Sequence, residues 1–481
     1  MSATTAPPAD ARETPAPGLL RLAWPIFAEQ SLHMLTGIVD TLMASRIGDD
    51  AVGGLGSAWQ IVVIFLMGFN VLSVGASVAT THHLGLGDRG GARRLARGAV
   101  ATNLWLGAAL SVVLATTAPT TLRWAQLGPA QLAYALPFLR WMGGTLFLES
   151  MNFALCAILR ANGHTREVMF VILGQNVVNA GASATLIFGL FGLPALGVTG
   201  IALATALSRL LACAALWVLA RRQVALTLRP RDLVDIRLAD LRRLLGFGLP
   251  AVLENVSWFA AFMVVTAFTA RMGGAALATQ AYVQQVASIE MLASLSIGIA
   301  GEIVVGRLVG AGRLDEAKAR GLAHVRIGLA VTVGVAAVAA LLAPSALRVF
   351  TRDPDIVATG RILVAMGLLL EPGRALNLIV IAALRASGDT RFPLVAGLAS
   401  QWLLMAGGAW LLGTALHLGL VGVWCALVLD EGLRGLAMLD RWRRGRWVGA
   451  ARRAQAAAKA ARGHNPAIDS HHERLHSRSF T

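Results

Sequence analysis

Four polar side chains share one otherwise apolar run near the start of this chain: Glu29, His33, Thr36 and Asp40. Their spacing of i, i+4, i+7 and i+11 places them on one face of a helix. Eleven residues rise about 16 Å along that helix. The stripe therefore presents titratable groups at several depths, and the chemistry open to it is uptake and release of a proton or a small cation. Asp40 is the strongest candidate. For Glu29 and His33 two readings stand: members of the stripe, or groups that hydrogen-bond neighbouring helices or sit near an interface. Pro25, four residues before Glu29, removes a backbone hydrogen bond and kinks the helix, either as a hinge or as a static bend.

The same frame recurs 225 residues later without a gap: Pro25 and Glu29 as Pro250 and Glu254, Arg46 and Gly48 as Arg271 and Gly273, Gly85 and Gly87 as Gly310 and Gly312. The segment 159–166 recurs as 384–391. Asp40 maps to Val265 and His33 to Trp258, so only the first copy carries the extra titratable groups. A membrane protein made of two like halves is usually a machine that rocks about their seam, with its site there.

Composition agrees with a bilayer as solvent. The 481 residues are 56% hydrophobic and only 14% charged, where soluble domains carry about 25% charged residues. Spanning helices need about 20 apolar residues. Such runs occur near 19–43, 57–84, 96–119, 131–159, 167–189, 195–220, 244–270, 279–309, 321–343, 356–384, 393–415 and 417–439. The expectation is an all-α polytopic membrane protein of twelve transmembrane helices in two six-helix lobes. Its parts are a disordered tail at 1–17, an N-lobe at 18–220, a cytoplasmic linker at 221–243, a C-lobe at 244–440 and a basic cytoplasmic tail at 441–481. Residues 1–17 hold no apolar stretch of a cleavable signal. The net charge of +16 comes from arginines in the loops after even-numbered runs, which places both termini in the cytoplasm. That distribution, without aromatic platforms between basic residues, speaks against nucleic acid. His82 and His83 end the second run and fall at the membrane interface.

Other polar groups within the runs are Glu149, Glu290, Glu302, Glu371, Asp430 and Glu431. Each either lines a cavity or pairs with an arginine such as Arg374 or Arg434. Glu371 before Pro372 suggests a broken helix. Gln280, Gln284 and Ser288 form one helical face, as cavity lining or as glue between helices. With Glu254, Asn152 and Asn377, the two glutamines are the expected substrate-cavity residues. Cys156, Cys213 and Cys425 lie far apart in apolar runs and read as packing residues. No metal site is expected, the alternative being His471 and His472 in the tail. No Walker A or Gly-x-Ser-x-Gly sequence is present, so energy must come from an ion gradient. A membrane transferase would need a polar catalytic loop, and the loops here are short and basic. A receptor or scaffold that moves nothing is the remaining rival.

Val39-Asp40-Thr41 and Arg46-Ile47-Gly48 after Pro25 resemble the opening signature of the multidrug and toxic compound extrusion (MATE) family. Leu159-Arg160-Ala161-Asn162-Gly163-His164-Thr165 and Leu384-Arg385-Ala386-Ser387-Gly388-Asp389-Thr390 resemble its paired Leu-Arg-x-x-Gly-x-Thr motif. Gly197-Val198-Thr199-Gly200 and Gly419-Leu420-Val421-Gly422 resemble another pair. The resemblance covers about residues 19–440. It implies two lobes around a central cleft and export of organic cations or amphipathic small molecules in exchange for H⁺, with Na⁺ as the alternative and no bound cofactor. It implies a monomer in the inner membrane. By the same resemblance Asp40 is the coupling acid, with Asn179 and Thr205 beside it. The family often has an acid four residues after the asparagine, and here Ser183 stands there. Another branch has a glutamate eight residues after the seventh-run proline, where this chain has Trp258. The pattern is nearer the DinF-like branch and favours H⁺. A neighbouring reading in the same superfamily is a flippase of lipid-linked precursors, which would want cationic groups for phosphates. The first-half runs show no excess of arginines over acids.

Overall fold

Apolar runs of this length satisfy their backbone groups in a bilayer by coiling into helices. The computed structural model describes residues 18–124 and 127–463, and among these every regular element is helical. The first lobe holds α1 (Leu19–Ser45), α2 (Asp49–Gly85), α3 (Arg89–Trp124), α4 (Pro129–Gly144), α5 (Leu146–Ala161), α6 (Thr165–Phe188) and α7 (Val198–Gln223). A short α8 (Pro230–Val234) leads to the second lobe: α9 (Leu238–Arg271), α10 (Gly274–Gly310), α11 (Leu314–Phe350), α12 (Pro354–Ala386), α13 (Arg391–Ser400) and α14 (Gly419–Arg443). After α13 the chain continues as wider π-type turns over Gln401–Ala406 and Ala409–Ala415. A last helix, α15 (Val448–Gly463), follows.

Among the described residues nine helices are long and apolar enough to cross a membrane, and α4 with α5, bent by 49°, makes a tenth. The remaining two of the twelve runs are α1 and α14, of 27 and 25 residues. Both are long enough to span but carry the buried charges described below. Three details differ from the sequence reading. The fourth run breaks at Thr145, just after Gly143 and Gly144, the kind of small-residue pair at which helices kink. Glu371-Pro372 breaks nothing: α12 runs through it, since packing in a membrane protein tolerates a proline whose neighbours absorb the lost bond. The linker is shorter than 221–243, because α7 extends to Gln223 and α9 starts at Leu238.

The region after 441 also differs from a plain tail as far as Gly463. Trp442 and Trp447 stack at 4.3 Å, turning the chain so that α15 lies back on the bundle. Gln455 donates to the Gly310 carbonyl at 3.2 Å and Arg94 to that of Ala461 at 2.8 Å. One helix thereby touches both lobes. The expected N-terminal tail at 1–17 and the pair His471 and His472 lie outside the described residues.

The lobes meet through α2 against α9 and α10, and α1 against α10. Residues separated by the repeat offset of 225 face one another there: Ser77 donates to Glu302 at 3.1 Å, and Thr81 packs on Gly306. Equivalent residues touch only on a two-fold axis, so the α2–α10 contact marks the axis relating the halves. Gly85 and Gly310 are also repeat mates. A Cβ on Gly85 would collide with the Arg307 carbonyl, and one on Gly310 with the His82 carbonyl. Both glycines are there for close backbone approach.

Every one of these contacts lies toward the end of the bundle where the basic loops gather. Leu19, Leu22, Ala23 and Ile26 of α1 share a buried cluster with Ile297–Val309 of α10. Leu72, Ala76 and Ala79 share another with Leu244 and Phe247 of α9. At the opposite end the clusters stay within one lobe, Ala44–Phe69 with α4 and α7, and Ala261–Val265 with Met405–Leu427. The lobes are joined at the basic end and separate toward the other, as a V. His82 and His83, expected at the membrane interface, are enclosed in that joint. His82 is fully buried, with Nε2 at 2.7 Å from the Ala386 carbonyl. His83 bridges Asp88 at 2.9 Å and Arg243 of α9 at 3.0 Å.

Candidate functional site

In the first lobe α1 and α6 run in the same direction, and Thr36 hydrogen-bonds the Asn176 side chain between them. Asp40 lies four residues beyond Thr36, and Asn179 three beyond Asn176. At 1.5 Å per residue they stand at nearly one level, about 6 and 4.5 Å further along. Asn179 donates to the Thr205 hydroxyl of α7 at 3.0 Å, and both are buried. The Asp40 Oδ1 atom is buried and has no hydrogen-bond partner among the described residues. Ser183, also buried, has a hydroxyl in the same condition.

One group at this site escaped the sequence reading. Arg209, four residues after Thr205 on α7, is buried inside the lobe. Its Nε lies 3.0 Å from the Glu149 carboxylate, and it is the charged group acting on Asp40. The break before α5 positions Glu149, because the carboxylate falls in the first turn of a new helix, where the helix dipole favours negative charge. Ser111 accepts the Phe147 N–H that the break leaves free, at 2.9 Å. Asn152 donates to the Arg209 carbonyl at 3.3 Å. The signal for Arg209 in the sequence was a lone arginine within the run 195–220, where an ionisable group is a site by default.

Glu29 and His33 share a face with Asp40 but not its surroundings. Glu29 is nearly fully buried and pairs with Arg160 at 3.0 Å. Arg160 belongs to the repeated Leu-Arg segment at the basic end of α5, so this pair fastens α1 to α5 and is not part of the Asp40 cluster. His33 is exposed and makes no hydrogen bond or ion pair among the described residues. Pro25 is buried inside α1 and Pro250 half-buried inside α9; each helix continues through its proline.

The second lobe buries a different arrangement. Arg434 of α14 lies 3.1 Å from Asp430, 3.1 Å from Glu431 and 3.8 Å from Glu254. Arg374 of α12 pairs with Glu371 and lies 3.9 Å from Glu431. Asn377 donates to Glu431 at 2.8 Å, and Ser400 bonds Asp430. Glu290 lines a small apolar recess with Val283, Leu363 and Trp424. Among the described residues the cluster gathers five carboxylates, Glu254, Glu290, Glu371, Asp430 and Glu431, about Arg374 and Arg434, with Arg385 also acting on Glu254.

The expected cavity residues therefore do not form one lining. Asn152 belongs with Arg209 in the first lobe. Glu254 and Asn377 sit in the second-lobe charge cluster, bound to their neighbours. Gln280 is buried, 3.5 Å from the Thr266 hydroxyl, and Gln284 is half-buried on the same helix. Cys156, Cys213 and Cys425 are free thiols, and no group of three potential metal ligands occurs among the described residues.

The profile of the MatE family matches residues 25–185 and 250–411, one copy in each lobe. The chain is 34% identical over 430 residues to an uncharacterized transporter, YisQ, of Bacillus subtilis, covering 89% of this chain and 94% of that one. It is 32% identical to a probable multidrug resistance protein, NorM, of Pseudomonas putida, with 90% and 96% covered. A solved structure described as the outward-facing conformation of a multidrug resistance MATE family transporter superposes with a TM-score of 0.82 at 20% identity, covering 90% of this chain and 96% of that one.

Proposed function

Because the chain belongs to the MatE family of membrane transporters, we propose that it is a secondary active multidrug exporter that exchanges organic cations or amphipathic compounds for H⁺. The observation that carries this reading is the Asp40 carboxyl, held inside the first lobe with one oxygen buried and unbonded. A bare carboxylate in that position is costly, and protonation or a bound cation removes the cost. Proton and substrate then compete for one charge, which is the requirement for exchange.

Direction follows from the loops. The positive-inside rule makes the basic end cytoplasmic, so the V opens outward and both termini lie inside. From this state a proton reaches Asp40 from outside and substrate leaves. Closing the outer gap and parting the inner seam then presents Asp40 to the cytoplasm, where the proton departs and substrate binds. The surroundings favour H⁺ over Na⁺: Asp40 has Asn179 and Thr205 nearby, Ser183 where a second acid would serve as ligand, and the Arg209 guanidinium opposing a metal cation.

Everted vesicles with an imposed pH gradient test the reading. Addition of organic cations should release protons from vesicles with the parent protein and not from those with Asp40→Asn, whether or not Na⁺ is present. Equal exchange by Asp40→Asn overturns the role of Asp40, and a response that appears only with Na⁺ overturns the ion. A second reading, a flippase of lipid-linked phosphates, draws on the buried Arg209, Arg374 and Arg434. All three are held by carboxylates, which favours the cation exporter. Silence toward every organic cation would shift weight to the flippase.

A further inference from the structure

Among the described residues, three ionisable side chains gather around the first-lobe site: Asp40, Glu149 and Arg209. The Glu29–Arg160 pair nearby is neutral as a unit and sits toward the basic end. His33 is exposed, and Cys156 and Cys213, the thiols that feel Glu149, are uncharged as thiols. With Asp40 ionised the site therefore carries two negative charges against one positive.

We propose that Arg209 fixes the charge of this site at one net negative, so that it takes one positive charge at a time: a proton on Asp40 or a monovalent organic cation. This rests on the reading of Asp40 as the coupling acid and narrows its substrate to monocations. Glu149 holds the guanidinium at 3.0 Å with both side chains largely buried, so the arginine stays in place and charged. Asn152 bonds the Arg209 backbone and the Met142 sulfur lies 3.9 Å from Nη1. The guanidinium pairs with one acid, Glu149, and leaves the other, Asp40, without an ion pair or hydrogen bond among the described residues. A dication entering this site would leave a net positive charge in a medium that screens it poorly. A neutral compound would leave Asp40 uncompensated. Arg209 is on this account a specificity residue, acting through the charge it adds.

Ethidium and propidium test this, since they share a ring system and carry one and two positive charges. Binding of each to the purified full-length protein in detergent would be followed by fluorescence at mildly alkaline pH, where Asp40 is ionised, and proton release on ethidium binding would be recorded in a separate titration at mildly acidic pH, where Asp40 carries its proton. The parent should prefer ethidium. Arg209→Gln leaves a net charge of minus two and should move the preference toward propidium by about tenfold, the effect of one added charge at several ångströms in a partly screened site. Arg209→Lys should keep the parental ratio. Glu149→Gln brings the net charge to zero and should weaken ethidium about tenfold without helping propidium, which supplies the test if Arg209→Gln does not fold. An unchanged ratio in folded Arg209→Gln, equal preference in the parent, or parental binding by Glu149→Gln overturns the proposal. Ethidium binding without proton release counts against Asp40 as the coupling acid and leaves the affinity ratios to decide on Arg209.

Discussion

At the scale of residues, two carboxylates that look alike in the sequence do different things. Glu29 and Asp40 lie eleven residues apart on one helical face, and nothing local tells them apart. What separates them is Arg160, 131 residues from Glu29 in sequence and 3.0 Å away in space. Glu29 bonds Arg160 through Oε1 and leaves Oε2 buried without a hydrogen bond, whereas Asp40 makes no ion pair or hydrogen bond at all among the described residues. Removing one partner of a buried pair is costly because the other charge is left alone, about 3 kcal/mol or more. Glu29→Gln should therefore lower the thermal midpoint of the detergent-solubilised protein by several degrees. Asp40→Asn should leave the midpoint nearly unchanged, because it deletes a charge without a direct partner. A Glu29→Gln protein as stable as the parent but unable to exchange protons would return Glu29 to the coupling site. The same logic explains which site residues were legible. Asp40, Asn179 and Thr205 came from spacing and family resemblance, and the structure brings Asn179 and Thr205 into contact. Arg209 was missed because its partner, Glu149, lies on a helix whose start no periodicity marks.

At the scale of elements, the apolar runs were readable because a bilayer demands about 20 of them in a row. Breaks were not. Pro372 advertises a break that does not occur, while Gly143-Gly144 and Thr145 make one inside an unbroken apolar run. Proline acts locally and neighbours can compensate it, whereas the bend at Thr145 is chosen by what α5 packs against. The helix α15 was equally hidden, because its alanine-rich sequence reads as a tail until Trp442 and Trp447 fold it onto the lobes. Helix contacts at the seam depend on small residues, and Gly85 is the clearest. Its Cβ position is occupied by the Arg307 backbone, which cannot move aside as a side chain would. Gly85→Val should leave each lobe folded, since the outer clusters lie within single lobes, and should force the seam apart. A cysteine at Ser77, in a background with Cys156, Cys213 and Cys425 replaced by serine, reports this. Its alkylation by a membrane-permeant maleimide should quicken several-fold in Gly85→Val. An unchanged rate would mean that the contact at Gly85 does not hold the seam shut.

At the scale of the whole molecule, the internal repeat has a mechanical meaning. Two like lobes joined by self-complementary contacts near one end can part there and close at the other with each lobe staying rigid. The pairs Ser77–Glu302 and Thr81–Gly306 sit on the two-fold axis that relates the lobes, at the seam that this motion must part, so they test it directly. The Thr81 Cβ lies 3.0 Å from the Cβ position of Gly306, slightly inside the usual span of about 3.5–4.5 Å for a disulfide. Both backbones therefore need to yield by only a few tenths of an ångström. Thr81→Cys with Gly306→Cys, in the same cysteine-free background, should crosslink under mild oxidation. The bond joins residues on two lobes within one chain, so it would appear as a mobility shift reversed by reductant. Crosslinked protein should bind substrate offered from the outer side and fail to transport it, and reduction should restore transport. Full transport by the crosslinked form would mean that the inner seam need not open, and the substrate path would have to be sought within a single lobe.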